Sequence, residues 1–397
     1  MNDDELRRIL KTKRLSTDRE KTEHTNQIPG ISWKPSTLRP LTKLTGVLTW
    51  PSGIILVTVS LLLLSFLVSY TVRSEVRSQM WDDAFHLKVL TELRARPAAY
   101  KEIYDRLYKQ SYANVPTIFS RTPFLFYVWL LLPDVQSIKW LYLAFSFLAS
   151  LASYFTTRFL TKSYPFAVFS ALWIAYYLQK PFYLMFEHWA ISIFLIAMAF
   201  FVKGHHVWAA MLAIMSTLVK EVFAPFLLFA VGFYFLGRKK REFFIWGLAT
   251  LAAGTIYLAY LLWTDSLGKQ TVVYLAQLNL NLDLQGLFDV SSYFFNNPPF
   301  PIAMNIVLAL IGMSVVDRDQ RNILYASFLF MPLLMFTAKE NPPYTASINV
   351  GAMVLSRWLA MPITLIGLFW LTGLWRVSVE IIRRLGYAEE KTLATAN

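Results

Sequence analysis

Two adjacent carboxylates, Asp82 and Asp83, stand in the stretch Met80-Trp81-Asp82-Asp83-Ala84-Phe85-His86, just past a strongly apolar segment from Ile54 to Tyr70. Neighbouring carboxylates repel, so such a pair calls for a raised pKa in one member or for a cationic or metal partner. A carboxylate within hydrogen-bond reach of a hydroxyl is a general base. The plainer task is capping, because an Asp ahead of Ala-Phe-His-Leu closes the first turn of a helix. The two tasks are compatible. Asp83 is better placed to cap, which leaves Asp82 as the base.

Other ionisable residues mark candidate sites further along. Glu187-His188 opens an apolar run, and an acid there favours the helix dipole whatever else it does. Lys220-Glu221 interrupts a nearly continuous apolar stretch, Met211 to Phe235. Ionisable residues at that depth usually face a cavity, although a short loop between two helices also explains the pair. Arg357 opens the last apolar run, where a planar guanidinium suits a phosphate. Tyr344 follows the turn Asn341-Pro342-Pro343 and could line a pocket. His205-His206 is adjacent and not at i,i+4 spacing, so it reads as a solvated loop.

Composition sets the medium in which these groups work. The chain has 397 residues, 56% of them hydrophobic and only 16% charged, with a mean hydropathy of +0.43. Soluble domains carry about a quarter charged residues. Apolar runs of about 17–25 residues recur, the length that spans a hydrocarbon core as helix. The expected class is an all-α polytopic membrane protein. There is no cysteine, which excludes thiolate metal sites, disulfides and cysteine nucleophiles. The formal charge of +13 is assigned to cytoplasmic loops and anionic membrane lipid. No basic stripe with interleaved aromatics points to nucleic acid, and there is no P-loop, dinucleotide-binding glycine fingerprint or HExxH.

Charge also orders the chain across the membrane. Residues 1–45 are polar, rich in Lys and Arg and without apolar period, a disordered basic cytoplasmic tail with a short helix near Asp4–Leu10. The first span, 50–70, then runs outward and delivers Asp82-Asp83 to the outer face. The first outer loop, 71–135, places Leu87, Leu90, Leu93, Tyr100, Ile103, Tyr104, Leu107 and Tyr108 at helical spacing around a break at Pro97. Two amphipathic helices lying in the interface are expected. Segment 122–133 is too short to span. If it dips in and returns, the clusters Arg158/Lys162, Lys203, Arg238-Lys239-Lys240-Arg241, Arg318/Arg321 and Arg376/Arg383/Arg384 all lie inside, as the positive-inside rule requires. The later spans are then about 136–157, 164–181, 187–202, 206–220, 222–237, 243–262, 301–316, 322–337 and 357–375. The expected organisation is a tail (1–45), a transmembrane domain (46–376) of about ten helices plus one re-entrant half helix, and a cytoplasmic tail (377–397).

The order and sidedness of these motifs resemble the GT-C superfamily of integral-membrane glycosyltransferases, which use polyprenyl-phosphate-linked sugars. The acidic pair after the first span, Trp81-Asp82-Asp83-Ala84-Phe85-His86, carries the likeness. So do Thr122-Pro123-Phe124-Leu125-Phe126-Tyr127 as a half helix, Glu187 after the third span and Leu218-Val219-Lys220-Glu221. Thr-Pro stands where the family has Pro-Pro, and no soluble C-terminal domain is expected. The resemblance implies a GT-C-like bundle in the inner membrane of a prokaryote, with both termini cytoplasmic and the site outside. It implies Asp82 or Asp83 as base, and Lys220 or Arg357 at the phosphate of the sugar donor. Glu187, His188, Glu221 and Tyr344 would line the substrate site. The acceptor would be a glycan, lipid or protein, and transfer would invert the anomeric carbon. Some relatives hold a divalent metal, Mg or Mn, on acids corresponding to Asp82, Asp83 and Glu187. Two rival classes are a polymerase or ligase of polyprenyl-diphosphate-linked glycans, which would rely on outer-loop arginines, and a lipid or glycan transporter, which would spread polar residues through mid-membrane.

Overall fold

A computed structural model describes residues 52–73, 81–111, 122–178, 183–263, 299–336 and 360–396. The N-terminal tail and its expected helix near Asp4–Leu10 lie outside the described residues, as do Tyr344 and Arg357. Of Asp82 and Asp83 the structure describes the helical backbone but not the side chains.

The described residues form thirteen α-helices and two short 3-10 turns, with no strand among them. In chain order the helices are α1 (Ser52–Arg73), α2 (Trp81–Ala95), α3 (Tyr100–Ser111), α4 (Phe124–Leu130), α5 (Val135–Thr161), α6 (Tyr164–Leu178), α7 (Phe186–Val202), α8 (His206–Val219), α9 (Ala224–Leu236), α10 (Lys240–Trp263), α11 (Pro299–Met313), α12 (Arg318–Phe336) and α13 (Ala360–Ala396). Three described stretches are long and apolar enough to cross a membrane: α5, Lys240–Tyr260 of α10 and Thr364–Arg384 of α13. Shorter apolar helices include α6, α7, α8 and the 58–68 stretch of α1.

The surface has the character expected of lipid contact. On α1, Val59, Leu63 and Leu67 recur every four residues and pack against Ala167, Ala171 and Ala175 of α6. The small alanine stripe lets the two backbones approach, the usual way helices pair where no water drives them together. The opposite face of α1 exposes Leu61, Leu62 and Leu64. Phe155, Phe169, Leu228, Phe244, Leu248 and Leu251 are likewise exposed on other helices. Apolar surface on this scale marks membrane or partner contact.

At the centre of the compact unit Ser52–Ser378 stands α7. Fourteen of its 17 residues are buried, so it is apolar all round and enclosed by its neighbours. It packs against α5 and α8; α8 and α9 pack against α10, and α9 against α12. Hydrogen bonds set the directions. Tyr142 near the start of α5 donates to the Leu178 carbonyl at the end of α6 (2.8 Å). Ser216 near the end of α8 donates to the Ala190 carbonyl in the first turn of α7 (2.9 Å). Gln320 at the start of α12 donates to the Phe201 carbonyl at the end of α7 (2.6 Å). The pairs α5/α6, α7/α8 and α7/α12 therefore run antiparallel, and the bundle has two chemically distinct ends.

One end collects the basic turns. The α5–α6, α7–α8 and α9–α10 connections are tight, and each has one residue in the left-handed region: Lys162, Gly204 and Arg238. Lys239 in the last of these turns meets Asp319 of α12 at 2.6 Å. That hydrogen bond holds the Lys239 pKa above its ordinary value. At the other end α5 begins under a full N-cap. The Asp134 side chain accepts from the Ser137 amide at 2.6 Å, which lowers its pKa.

The periodicity around Pro97 gives helices α2 and α3, joined by the turn Pro97–Ala99. Their apolar faces do not lie open to an interface. Val89, Leu90, Leu93, Tyr100, Ile103 and Tyr104 are buried in the main core. The reason is α4, against which α2 packs. Seven residues of α4 rise only about 10 Å, too little to span a bilayer alone, and its Leu125, Phe126 and Trp129 are buried in the same core.

Helices α11 and α13 touch backbone to backbone. A Cβ at Gly373 would overlap the Leu308 carbonyl, and one at Gly312 the Phe369 carbonyl, whereas nothing lies within 4 Å of a Cβ at Gly247. Gly373→Val is expected to lower stability by about 1–3 kcal/mol, read as a fall in the melting temperature of the purified protein. Gly247→Ala, in mid-α10, should leave it unchanged or slightly raised.

Candidate functional site

The end of the bundle opposite the basic turns gathers the charges that the sequence singles out. Glu187 is the second residue of α7, in its first turn. Lys220 lies in the break between α8 and α9, in extended conformation. The break has a local cause. Pro225 sits in the first turn of α9, where its missing N–H costs nothing, but it cannot continue a preceding helix. The Lys220 ammonium stands 3.2 Å from Glu187 Oε1 and 3.5 Å from Glu221 Oε1. The side chains of Lys220 and Glu187 are 5% and 4% exposed, and that of Glu221 37%. A buried pair survives only with close geometry, because taking either ion out of water alone costs several kcal/mol.

Three hydrogen bonds fasten the surroundings of this pair. The Ser216 hydroxyl bond to Ala190 holds α8 against α7 just below the ions. The Thr122 hydroxyl, ahead of the half helix, donates to the Leu218 carbonyl. His86 on α2 donates from Nδ1 to the Leu184 carbonyl (2.7 Å), three residues before Glu187. Its ring packs on Phe126, Trp129 and Phe186. His188 is buried, edge-on to the Tyr177 ring at 5.9 Å. Lys139 in the first part of α5 is also buried, its ammonium 5.0 Å above the Tyr183 ring.

The backbone of α2 brings the acidic pair to the same end. Asp82 precedes His86 by four residues, one helical turn. Through His86, the first turn of α2 is anchored to the loop that leads into Glu187.

The expected residues thus divide. Glu187, His188, Lys220 and Glu221 are at one end, with Glu187, Lys220 and Glu221 in direct contact. Asp82 and Asp83 join them as backbone positions on α2. His86, Thr122, Lys139 and Tyr177 are additions that the sequence reading did not assign. Lys139 has a visible signal, a lone cation early in an apolar run. His86 belongs to the quoted acidic stretch, but nothing in the sequence says which carbonyl it binds. Thr122 opens the quoted half-helix stretch but nothing there names the carbonyl it binds, and Tyr177 carries no signal.

Among the described residues no group of three or more His, Asp or Glu side chains could hold a metal ion. Of the three acids expected around Mg or Mn, Glu187 meets the Lys220 ammonium at 3.2 Å through Oε1, and the side chains of Asp82 and Asp83 lie outside the described residues. An apolar hollow of about 500 Å³ opens beside α4, lined by Arg94, Pro97, Phe124, Tyr127, Val128, Leu130 and Leu131. Arg94 donates to the Leu132 and Pro133 carbonyls and so holds the exit of the half helix. Comparison of the chain with protein-family models, curated proteins and solved structures finds no match.

Removing one partner of the ion pair strands the other. Lys220→Met should cost about 3–5 kcal/mol in stability, measured by thermal or denaturant unfolding of the purified protein. The double variant Glu187→Leu/Lys220→Met should recover most of that loss. Equal losses in the single and double variants would show that the two ions are not coupled.

Proposed function

We propose that this chain is a membrane glycosyltransferase of GT-C type that transfers a sugar from a polyprenyl-phosphate donor to an acceptor hydroxyl on the outer face of a prokaryotic inner membrane. The observation that carries this reading is the convergence of three separated motifs at one end of the bundle. The ion pair Glu187–Lys220 and the His86–Leu184 hydrogen bond hold the first turn of α2, with Asp82 and Asp83, at the end where the buried charges lie. In this reading about ten helices cross the bilayer, α4 is the re-entrant half helix and the basic turns face the cytoplasm.

The proposed reaction is a single displacement. Asp82 takes the proton of the acceptor hydroxyl as its oxygen attacks the anomeric carbon. The bond to the phosphate oxygen breaks, polyprenyl phosphate leaves, and the anomeric configuration inverts. Helix α2 begins at Trp81, so Asp83 is its third residue and not the cap that the sequence suggests; an acid in that first turn favours the helix dipole. Arg357 contacts the leaving phosphate, where a fixed cation matches the charge that develops there. Lys220 is held by two carboxylates, so its task is to orient Glu187 and Glu221, of which the half-exposed Glu221 is open to a substrate. The hollow beside α4 suits the first isoprene units of the donor. The buried ionisable groups His86, Lys139, Glu187, His188 and Lys220 gather at one end of the bundle and not along a mid-membrane path, which favours an enzyme over a transporter.

Asp82→Asn and Asp83→Asn are the test. At least one should lower turnover of a polyprenyl-phosphate sugar by about 10²–10⁴-fold, with an unchanged melting temperature and elution profile. Wild-type turnover in both variants would remove the base assignment. Arg357→Ala should weaken donor binding in the same assay; an unchanged affinity would remove its phosphate role.

A further inference from the structure

At the basic end two guanidiniums converge on one serine. Arg376 of α13 donates to the Ser314 hydroxyl. Arg321 of α12 donates to the carbonyl of the same Ser314 at 3.5 Å. Both also lie within electrostatic reach of Tyr325, whose hydroxyl is committed to the Leu310 carbonyl (2.9 Å). Both arginines are half-buried. Among the described residues neither meets a carboxylate within ion-pair distance. The acids of α12, α13 and the turn before α12 are otherwise placed: Asp319 holds Lys239, Glu380 accepts from Arg383 and Arg384 on its own helix, and Asp317 is exposed.

Two uncompensated like charges repel, yet the fold holds these two together. The contact of α11 with α13 at Gly312 and Gly373 leaves no slack between those helices. Ser314 follows α11 directly and Arg376 lies one turn beyond Gly373. Arg321 comes from the first turn of α12, whose dipole adds positive potential. Such a site matches a phosphate, since guanidinium forks meet phosphate oxygens in pairs. The apolar helices on either side end at this level, which is where a lipid headgroup stands.

We propose that Arg321 and Arg376, bridged by Ser314, form a binding site for a phosphodiester anion, occupied by the headgroup of an anionic phospholipid. The site is at the opposite end of the bundle from Glu187 and Lys220, and binding there is separate from catalysis.

The test is lipid retention by the full chain in nanodiscs, read by native mass spectrometry. Mixed phosphatidylglycerol and phosphatidylcholine would be offered to the wild type, Arg321→Gln and Arg376→Gln. The wild type should retain phosphatidylglycerol preferentially. Each variant should lose about fivefold of that preference, the worth of one cation near an anionic surface. Arg321→Gln removes only a long hydrogen bond, so its folding is preserved and its result stands even if Arg376→Gln unfolds. Inorganic phosphate at millimolar concentration should not displace the lipid. Equal retention of both lipids, retention unchanged in Arg321→Gln, or displacement by inorganic phosphate would each overturn the assignment.

Discussion

Burying the Lys220 ammonium against the Glu187 carboxylate is the constraint on which the polar end of the bundle depends. Neither ion reaches water to any extent, so each needs the other at close range. That demand fixes the register of α7 against α8. It also explains why the α8–α9 connection departs from helix at Lys220 and resumes only at Glu221. Pro225 supplies the break, Ser216 and Thr122 stitch its flanks, and His86 secures α2 over it. A weaker coupling would release these elements together, because each is attached within a turn of the pair.

The two ends of the bundle use charge in opposite ways. At the basic end the charges sit in tight turns and at helix starts, exposed or half-buried, where solvent and headgroups screen them. At the other end the outer charges of α2 and α3 are exposed or half-buried, whereas Glu187 and Lys220 beneath them are buried and matched, and aromatic rings surround His86. Between the ends, leucines and phenylalanines of α1, α5, α6, α9 and α10 face outward. A bilayer accommodates this division: an apolar belt, one face rich in cations, and one face where irregular backbone is covered by α2, α3 and α4. Non-helical backbone at membrane depth is tolerated only where protein or a cavity covers it. The loop before α7 and the break at Lys220 meet that condition.

Much of this was legible in the sequence for a definite reason. An ion inside an apolar run is conspicuous, so Glu187 and Lys220 stand out before any fold is known. The tight basic turns also mark helix ends closely, and Pro97 marks the break between α2 and α3. What periodicity does not reveal is the identity of the covering surface. The stripe from Val89 to Tyr104 suits a lipid interface as well as a protein core, and the half helix α4 decided for the core. Contacts through main-chain carbonyls are silent for the same reason: His86 and Thr122 bind oxygens that every residue possesses. The convergence of Arg321 and Arg376 on Ser314 joins three segments whose spacing along the chain carries no signal.

The most direct test of the central claim is donor turnover by the purified wild-type chain in lipid nanodiscs. Given a polyprenyl-monophosphate sugar and hydroxyl acceptors, it should release polyprenyl phosphate and form a glycoside of inverted anomeric configuration. Turnover of polyprenyl-diphosphate glycans with none of the monophosphate donor would contradict the claim, as would movement of intact lipid-linked sugar across the bilayer without cleavage.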